Sequence, residues 1–324
     1  MLRFLFGLKW QKSQAHLLLL SKFLHPHTIE DYEHSSIMPW KQVLGETPSK
    51  AINRFLDEGM LKRTDIAESL EWKYKVPDLK KMLKDHNLPV SGNKRVLISR
   101  LIETDPNGMK EYVSGLNVLL CSEQGHQIAD DYLTIEKEKR HNLNQQVLNA
   151  LQNRKFKKAS LLHSSFEAEQ VFPGGLNIDW RNQKVIVAIT THDISVLKII
   201  FESNPKILNN LNNEWLEHLR LAAGMMCLLG EDVSKGFLPP NLETGLVLDG
   251  VTAARMIKFH ALHQVNLAQY REWGSKSVEI STANDGLTCE ACEKIAGKKF
   301  KIDEVPELPY EKCTCAMGCR CVAN

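Results

Sequence analysis

Apolar residues recur at helical spacing along much of the chain, and two short amphipathic helices stand out between residues 75 and 103. In the first, the apolar positions lie opposite a run of charged ones, and Pro77 suits the opening turn. Ser91 is the expected N-cap of the second. The apolar stripes are Val76, Leu79, Met82 and Leu83, then Val96, Leu97, Leu101 and Ile102. Because helices this short bury little surface alone, we expect the stripes to face each other or a neighbour.

The remaining pattern also predicts helices. Thr47 is expected to cap a helix that ends at Gly59, a segment that fits a helix-turn-helix lobe or another helical hairpin. Residues 128–170 predict a polar helix or a pair of helices. Residues 215–229 are apolar on nearly all sides, as in a buried helix, and residues 249–270 predict a long helix capped by its aspartate.

Strands are expected only near the end of the chain. Residues 277–280 alternate as a strand does, residues 285–286 form a turn, and residues 297–300 predict a second strand. Turn-rich stretches at residues 104–108 and 172–175 interrupt the helical pattern. The pattern predicts a mainly α, multi-domain protein with these divisions: an N-terminal helical segment (1–65), a small helical module (66–108), a helical core domain (109–274) and a cysteine-rich β-hairpin knuckle (275–324).

Composition and charge narrow the function classes. The chain has 324 residues, of which 43% are hydrophobic and 25% charged, so it is an ordinary globular protein and not a disordered one. Its formal net charge of +2 is too small for a general polyanion binder. Any affinity for nucleic acid must therefore come from a local patch.

The sequence contains no apolar run long enough for a membrane helix, so we expect no membrane partner. Residues 1–29 carry lysines and one arginine but no acid before residue 30. This start fits an ordinary helix or an early start codon, and alternatively a transit peptide or a membrane-surface helix.

Six of the eight cysteines fall between residues 289 and 321, which indicates metal binding in a reducing, cytoplasmic compartment. A C-x-x-C pair followed by further cysteines completes a tetrahedral thiolate shell, for which Zn²⁺ is the default ion. We expect Cys289 and Cys292 to bind with Cys313 and either Cys319 or Cys321, while Cys315 stays a candidate. A closed shell favours structural zinc; a redox pair and an iron–sulfur cluster are the alternatives. His260 and His263 have a spacing that can serve a metal but are expected to pack.

From Pro77 to Leu101 the chain follows the pattern PDLKxxLKxxxLPVSGxKxxLIxRL. This stretch resembles the SAP domain, a helix–extended turn–helix module of many DNA-associated proteins. The resemblance implies binding to duplex DNA with weak sequence preference, through phosphate contacts at the start of the second helix. The implied contacts are Ser91, Gly92, Asn93, Lys94 and Arg95, flanked by Lys75, Lys80 and Lys84.

Helix physics agrees with that implication, since unpaired N–H groups and the positive dipole end at residues 92–95 favour an anion. Two other interpretations compete with it. The cations can simply solvate a small helical module, and some SAP-like modules bind proteins.

The end of the chain resembles the C-terminal part of phage head-morphogenesis (minor head) proteins. The similarity rests on a D-x-x-x-C-x-x-C knuckle, a GKKF strand, a proline-rich stretch and a final C-R-C, spanning residues 269–321. It departs at Tyr310, where that family usually shows a histidine. The resemblance implies a phage-related structural protein in which the SAP-like unit mediates assembly, with protein partners or self-assembly.

The sequence therefore predicts a non-enzymatic DNA-binding protein with a structural zinc knuckle, and the phage-related assembly protein is the alternative. We expect no enzyme activity, because no compact acid and base set with nuclease-like spacing is present.

Overall fold

The structure, a computed structural model, describes residues 9–33, 39–173, 178–179, 184–185, 191–208, 211–238 and 248–324. Helices dominate and strands are short, which confirms the predicted mainly α class. The chain divides into an N-terminal unit, Met1–Glu138, and a C-terminal unit, Lys139–Asn324. No helix among the described residues has both the length and the apolar character needed to cross a bilayer.

The N-terminal unit consists of short helices and one pair of strands. The helices are α1 (Gln14–Lys22), α2 (Glu30–Glu33), α3 (Trp40–Leu44), α4 (Pro48–Asp57), α5 (Ile66–Lys73), α6 (Val76–Asp85), α7 (Lys94–Thr104) and α8 (Pro106–Tyr112), and the strands are β1 (Leu61–Arg63) and β2 (Leu119–Cys121). A long helix, α9 (Glu123–Gln152), begins in this unit and runs past its last residue.

The helix predicted after Thr47 is α4. The Thr47 side chain accepts a hydrogen bond from the Lys50 N–H at 3.4 Å, and Ala51, Ile52 and Phe55 are buried. Within the basic start of the chain, a 3₁₀ turn at Lys9–Lys12 precedes α1, while residues 1–8 lie outside the described residues. Residues 174–175 of the predicted loop also lie outside them.

Strands β1 and β2 hold both ends of a long insertion. They pair antiparallel, from Leu61 opposite Cys121 to Arg63 opposite Leu119. Leu61, Leu119 and Cys121 are buried, so the pair is anchored in the core of the unit. Residues 64–118, here called the helical insert, therefore leave and rejoin the unit at one place.

The helical insert has a core of its own that four helices share. Its fully buried side chains come from α5, α6, α7 and α8: Leu70, Leu79, Leu83, Leu97, Ile98, Leu101 and Met109. The predicted stripes of α6 and α7 do face a common core, but α5 and α8 complete it. Two helices of ten and eleven residues alone would leave these leucines partly in water.

Two valines that were predicted to lie on the buried helix faces are exposed instead. Val76 is 37% exposed and Val96 is 44% exposed, whereas Ile98, which the pattern analysis missed, is 2% exposed. Both valines lie in the first turn of their helices, at the edge of the face that turns inward. The buried face of α7 is instead centred on Leu97, Ile98 and Leu101.

The turn-rich stretch at residues 104–108 is the start of α8. The Asp105 side chain accepts a hydrogen bond from the Gly108 N–H at 2.8 Å, and Pro106 occupies the first turn. Asp is favoured as a cap because its side chain accepts a first-turn N–H, and Pro is favoured in the first turn because its φ is fixed near the helical value. The same two properties make both residues common in turns. Met109 then enters the core that contains Leu101, so the chain stays within the helical insert here.

The C-terminal unit contains the larger helices and the remaining strands. After α9 come α10 (Phe156–Ala168), α11 (Thr191–Glu202), α12 (Asn213–Leu229), α13 (Glu231–Lys235), α14 (Gly250–Glu272) and α15 (Glu290–Glu293), and the strands are β3 (Ile178–Asp179), β4 (Lys184–Val185), β5 (Ser277–Ser281), β6 (Lys299–Lys301) and β7 (Val322–Ala323). Strands β3 and β4 pair antiparallel.

Helices α11, α12 and α14 pack around the main core of this unit. The buried helix predicted at residues 215–229 is α12, in which Leu219, Ala223 and Met225 are fully buried. The long helix predicted from Asp249 is α14, and the Asp249 carboxylate accepts a hydrogen bond from the Thr252 N–H at 2.7 Å. Both predictions are confirmed.

A three-stranded antiparallel sheet follows α14, in the order β6-β5-β7. The two predicted strands are β5 and β6, with Val278 opposite Phe300. The third strand, β7, was not predicted, because only two of its residues pair, with Ile280 opposite Ala323. We call residues 275–324 the knuckle.

The knuckle packs closely on α14 at Gly318, whose φ of +75° favours glycine. A Cβ built on Gly318 would lie 2.7 Å from Met256 Cε and 2.9 Å from Thr252 Cγ2. The next residue, Cys319, directs its N–H at Met256 Sδ over 3.2 Å. The cysteines of the knuckle therefore belong to the same core as the helices.

Leu97→Ala should lower the free energy of local unfolding of the helical insert by about 2–5 kcal/mol, because it leaves a cavity at a fully buried position. The matched control is Val96→Ala, at the half-exposed neighbouring position. This substitution should change the free energy of local unfolding by much less. Amide hydrogen exchange of α7 in the full chain measures both. Equal effects of the two substitutions would contradict this assignment of the core.

Candidate nucleic-acid interface and candidate metal centre

The residues implied as phosphate contacts lie around the start of α7 and along α6. Ser91, Gly92 and Asn93 are exposed in the turn that precedes α7. Lys75, Lys80 and Lys84 are also exposed; Lys75 directly precedes α6, and the other two lie one turn apart on one face of that helix. This part of the helical insert thus presents cations to solvent.

The cap of α7 is Asn93, and the prediction that Ser91 would cap it was wrong. The Asn93 side chain accepts a hydrogen bond from the Val96 N–H at 3.1 Å, and the helix begins at Lys94. Asparagine competes well with serine at this position, and the turn extends two residues further than the pattern suggested. The first-turn N–H groups of Lys94 and Arg95 lie ahead of any intrahelical acceptor and can receive an anion.

Lys94 and Arg95 have different roles in this structure. The Lys94 ammonium group donates a hydrogen bond to the backbone carbonyl of Glu71, so it links α7 to the end of α5. The Arg95 side chain is 85% exposed, and its Nε lies 3.9 Å from the Glu71 carboxylate. An exposed pair at that distance contributes little to stability, which leaves the guanidinium group available to a stronger anion.

The extended turn before α7 is held by Arg100, which the sequence analysis did not single out. Its guanidinium group donates to the carbonyl oxygens of Pro89 and, at 3.2 Å, of Ser91. Gly92 adopts a φ of +124°, and a Cβ there would lie 2.9 Å from Val96 Cγ1. The sequence signal for this role is weak: an arginine about two turns into the helix that follows.

The six cysteines of the knuckle converge in space. The Sγ atoms of Cys289, Cys292, Cys313 and Cys315 all lie within 4.8 Å of one another, and so do those of Cys292, Cys319 and Cys321. Cys289 Sγ and Cys313 Sγ are 3.9 Å apart. A tetrahedral shell with Zn–S bonds of about 2.3 Å has edges of about 3.8 Å, so the four-thiol group has the dimensions needed to hold a metal ion.

The nearest thiol neighbours of Cys313 differ from the expected ones. The structure places Cys313 in the four-thiol group with Cys315, whereas spacing favoured Cys319 or Cys321, and the set of four ligands stays a prediction. The reason is a tight turn in which the Cys315 N–H lies 3.4 Å from Cys313 Sγ, so that two cysteines one residue apart face the same point. Spacing alone does not distinguish such a turn from an extended C-x-C segment.

Backbone N–H groups point at several of these sulfur atoms. The Cys289 N–H donates to Cys315 Sγ at 3.2 Å, and the Thr314 N–H donates to Cys289 Sγ at 3.4 Å. The Tyr310 N–H donates to Cys319 Sγ at 3.2 Å. N–H donors stabilise thiolate, which is the form that binds metal. All eight cysteines of the chain are free thiols.

The pKa values of the cysteine thiols show the effect of these N–H donors. Burial raises the pKa of the Cys289 thiol, but the N–H groups of Thr314 and Cys292 outweigh this and lower the pKa to about 6. The pKa of Cys319 is lowered because the thiols of Cys313 and Cys321 direct their protons at its sulfur. Burial and hydrogen bonds to neighbouring sulfur atoms raise the pKa values of Cys292, Cys313 and Cys321, so Cys289 and Cys319 are the positions that favour thiolate.

An ion pair joins the two ends of the knuckle. Arg320 binds Asp285 with two parallel contacts, from Nη1 to Oδ2 at 2.6 Å and from Nη2 to Oδ1 at 2.8 Å. The Asp285 carboxylate also accepts the Leu287 N–H at 3.1 Å, just before Cys289. The Arg320 guanidinium group is the main reason that the pKa of Asp285 falls to about 2. This pair fixes the loop before the C-x-x-C relative to the final C-R-C.

His260 and His263 are buried on α14 and belong to neither group of thiols, but His263 lies near enough to Cys319 to interact with it. His260 Nδ1 lies 3.6 Å from a Glu307 carboxylate oxygen. Burial lowers the pKa of His260 and brings that of His263 to about 4, so both imidazoles are neutral near pH 7. Both side chains are buried, as expected for packing residues.

Comparison with known proteins gives one match. Residues 73–106 match the family model of the SAP domain, which confirms the resemblance for this part of the helical insert. SAP domains generally bind nucleic acids. No curated protein and no solved structure matches the chain. The resemblance of the C-terminal end to phage head-morphogenesis proteins finds no support in these comparisons.

Asp285→Asn should lower metal affinity by about 10–100-fold, the usual effect of losing a partner that orients a ligand loop. Asparagine keeps an oxygen for the Leu287 N–H but loses the ionic contacts with Arg320. The matched control is Asp303→Asn in the same knuckle, which breaks an exposed pair with Arg271. Competition against a zinc-chelating dye measures both; equal affinities for the two variants would contradict the role of this ion pair.

Proposed function

We propose that this chain is a non-enzymatic DNA-binding protein whose SAP module contacts the phosphate backbone and whose knuckle holds a structural zinc ion. The SAP match over residues 73–106 carries the proposal for DNA. The four-thiol group of the knuckle carries the proposal for metal.

The interface that we propose is centred on the first turn of α7. There, the N–H groups of Lys94 and Arg95 and the helix dipole favour a phosphate oxygen. The exposed Arg95 side chain can add a charge-assisted contact, and Lys80 and Lys84 on α6 can meet neighbouring phosphates. Such contacts are made to the backbone, so they support weak sequence preference.

For the metal ion, the donor set supports zinc. Four thiolates at tetrahedral spacing are the usual ligands of structural zinc, and they leave no open position for a reactive water. Among the described residues, the groups of metal-binding side chains consist of cysteines alone. These observations support a stabilising ion over a catalytic one.

Arg95→Ala should weaken binding to every duplex by a similar factor, because it removes one phosphate contact. The slope of log affinity against log salt should become shallower by about 0.9. Fluorescence anisotropy with the full chain, on two duplexes of unrelated sequence and at several salt concentrations, measures both quantities.

Two variants sharpen this test. Lys110→Ala removes an exposed lysine on α8, outside the proposed interface, and should leave affinity and slope unchanged. Glu71→Gln removes the carboxylate beside Arg95 but keeps the carbonyl that holds Lys94, so it should strengthen binding. If the folded wild-type chain has no affinity even at low salt, the DNA proposal fails and a protein-binding role of the SAP module takes its place.

The purified chain should not cleave DNA. Supercoiled plasmid incubated with the chain and Mg²⁺, Mn²⁺ or Zn²⁺ should remain supercoiled on an agarose gel, because a closed thiolate shell offers no activated water. Cleavage that co-purifies with the chain and disappears on substitution of an acidic residue would overturn the non-enzymatic assignment.

A further inference from the structure

If one ion binds the four-thiol group, two buried cysteines of the knuckle have no metal to bind. Cys319 is 1% exposed and Cys321 is 6% exposed, and both lie beside Cys292. Buried cysteine can act as a small apolar side chain, but these two differ from such packing residues. Their sulfur atoms face other sulfur atoms, and Cys319 Sγ accepts the Tyr310 N–H.

The two thiol groups share a member. Cys292 Sγ lies within 4.8 Å of every sulfur in both groups, so it stands between the pair Cys289 and Cys315 and the pair Cys319 and Cys321. The Cys313 sulfur belongs to the group of Cys289, Cys292 and Cys315 and not to that of Cys319 and Cys321, but its thiol interacts with Cys319 Sγ. Cys292 therefore lies between the two groups, and Cys313 is the member of the first group that interacts with the second.

We propose that the six cysteines hold two zinc ions, bridged by the thiolates of Cys292 and Cys313. One ion has Cys289 and Cys315 as its terminal ligands, and the other has Cys319 and Cys321. With two bridging and four terminal thiolates, each ion reaches the fourfold coordination that structural zinc prefers. Six is the smallest number of cysteines that gives two such shells with a shared edge, and six lie here.

The charges favour this arrangement. Two divalent ions on six thiolates have the same net charge as one ion on four, so the second ion neutralises Cys319 and Cys321 at no further cost in buried charge. The Arg320 guanidinium group lines the small cavity at Cys292, Cys315 and Cys321, where it offsets the remaining negative charge. The same arginine is held in place by Asp285.

This inference rests on the proposed structural metal site and extends it from one ion to two. The decisive quantity is the number of zinc ions per chain, measured on the purified full chain by native mass spectrometry and by elemental analysis. We expect two for the wild type. The double variant Cys319→Ser, Cys321→Ser removes both terminal ligands of the second ion and should carry one.

The control variant is Cys227→Ser, which changes a cysteine outside the cluster and should keep two ions. Circular dichroism establishes that each variant is folded. A second measurement needs no variant: in the wild type loaded with ¹¹³Cd²⁺, shared thiolates should give two resonances coupled to each other.

The outcomes separate the two proposals. One zinc in the wild type and one in the double variant would overturn the two-ion inference but leave the structural site intact. No zinc in the folded wild type would overturn both. Two ¹¹³Cd²⁺ resonances without coupling would overturn the sharing of Cys292 and Cys313.

Discussion

Antiparallel strand pairing is the constraint on which the candidate interface of the N-terminal unit depends. Residues 64–118 form a separate four-helix core, and the pairing of β1 with β2 brings their two ends together, where the Thr64 N–H donates to the Val118 carbonyl. Both strands are three residues long, so their stability comes from burial of Leu61, Leu119 and Cys121 and not from the ladder alone. A SAP-like module attached in this way keeps its own fold while both of its ends stay fixed to the unit that carries it.

The same principle organises the knuckle in the C-terminal unit. The C-x-x-C lies between β5 and β6, and the final C-R-C lies directly before β7, so a central strand that pairs on both sides gathers sulfur atoms from distant parts of the chain. Asp285 and Arg320 then connect the two cysteine segments by side chains. Close packing of Gly318 on Met256 places the last cysteines in the helical core, which removes water from the thiolates.

The positively charged residues of the helical insert show how one residue type divides between structure and recognition. Lys94 and Arg100 donate hydrogen bonds to backbone carbonyls. The Lys94 bond connects α5 with α7, and the Arg100 bonds hold the extended turn. Arg95, Lys80 and Lys84 keep their charged groups in solvent, where an anion can reach them. The proposed phosphate contact at the start of α7 would therefore depend on neighbouring cations that hold the turn and the helix in place. Under that proposal, fold and affinity come from different members of the same basic stretch.

The sequence by itself determined the features that depend on local spacing. Periodicity located α6, α7, α12 and α14, the cap at Asp249, and the strands β5 and β6, and the pattern from Pro77 to Leu101 was enough to identify a SAP-like module. Cysteine clustering likewise identified the segment that could hold a metal ion. Only the tertiary structure decided which surfaces and thiols meet. Val96 is exposed because α5 and α8 determine which face of α7 is buried, and Cys315 joins Cys313 because of a turn that spacing does not specify. Such choices depend on contacts between residues far apart in the chain, whereas periodicity and motif spacing report only on neighbours.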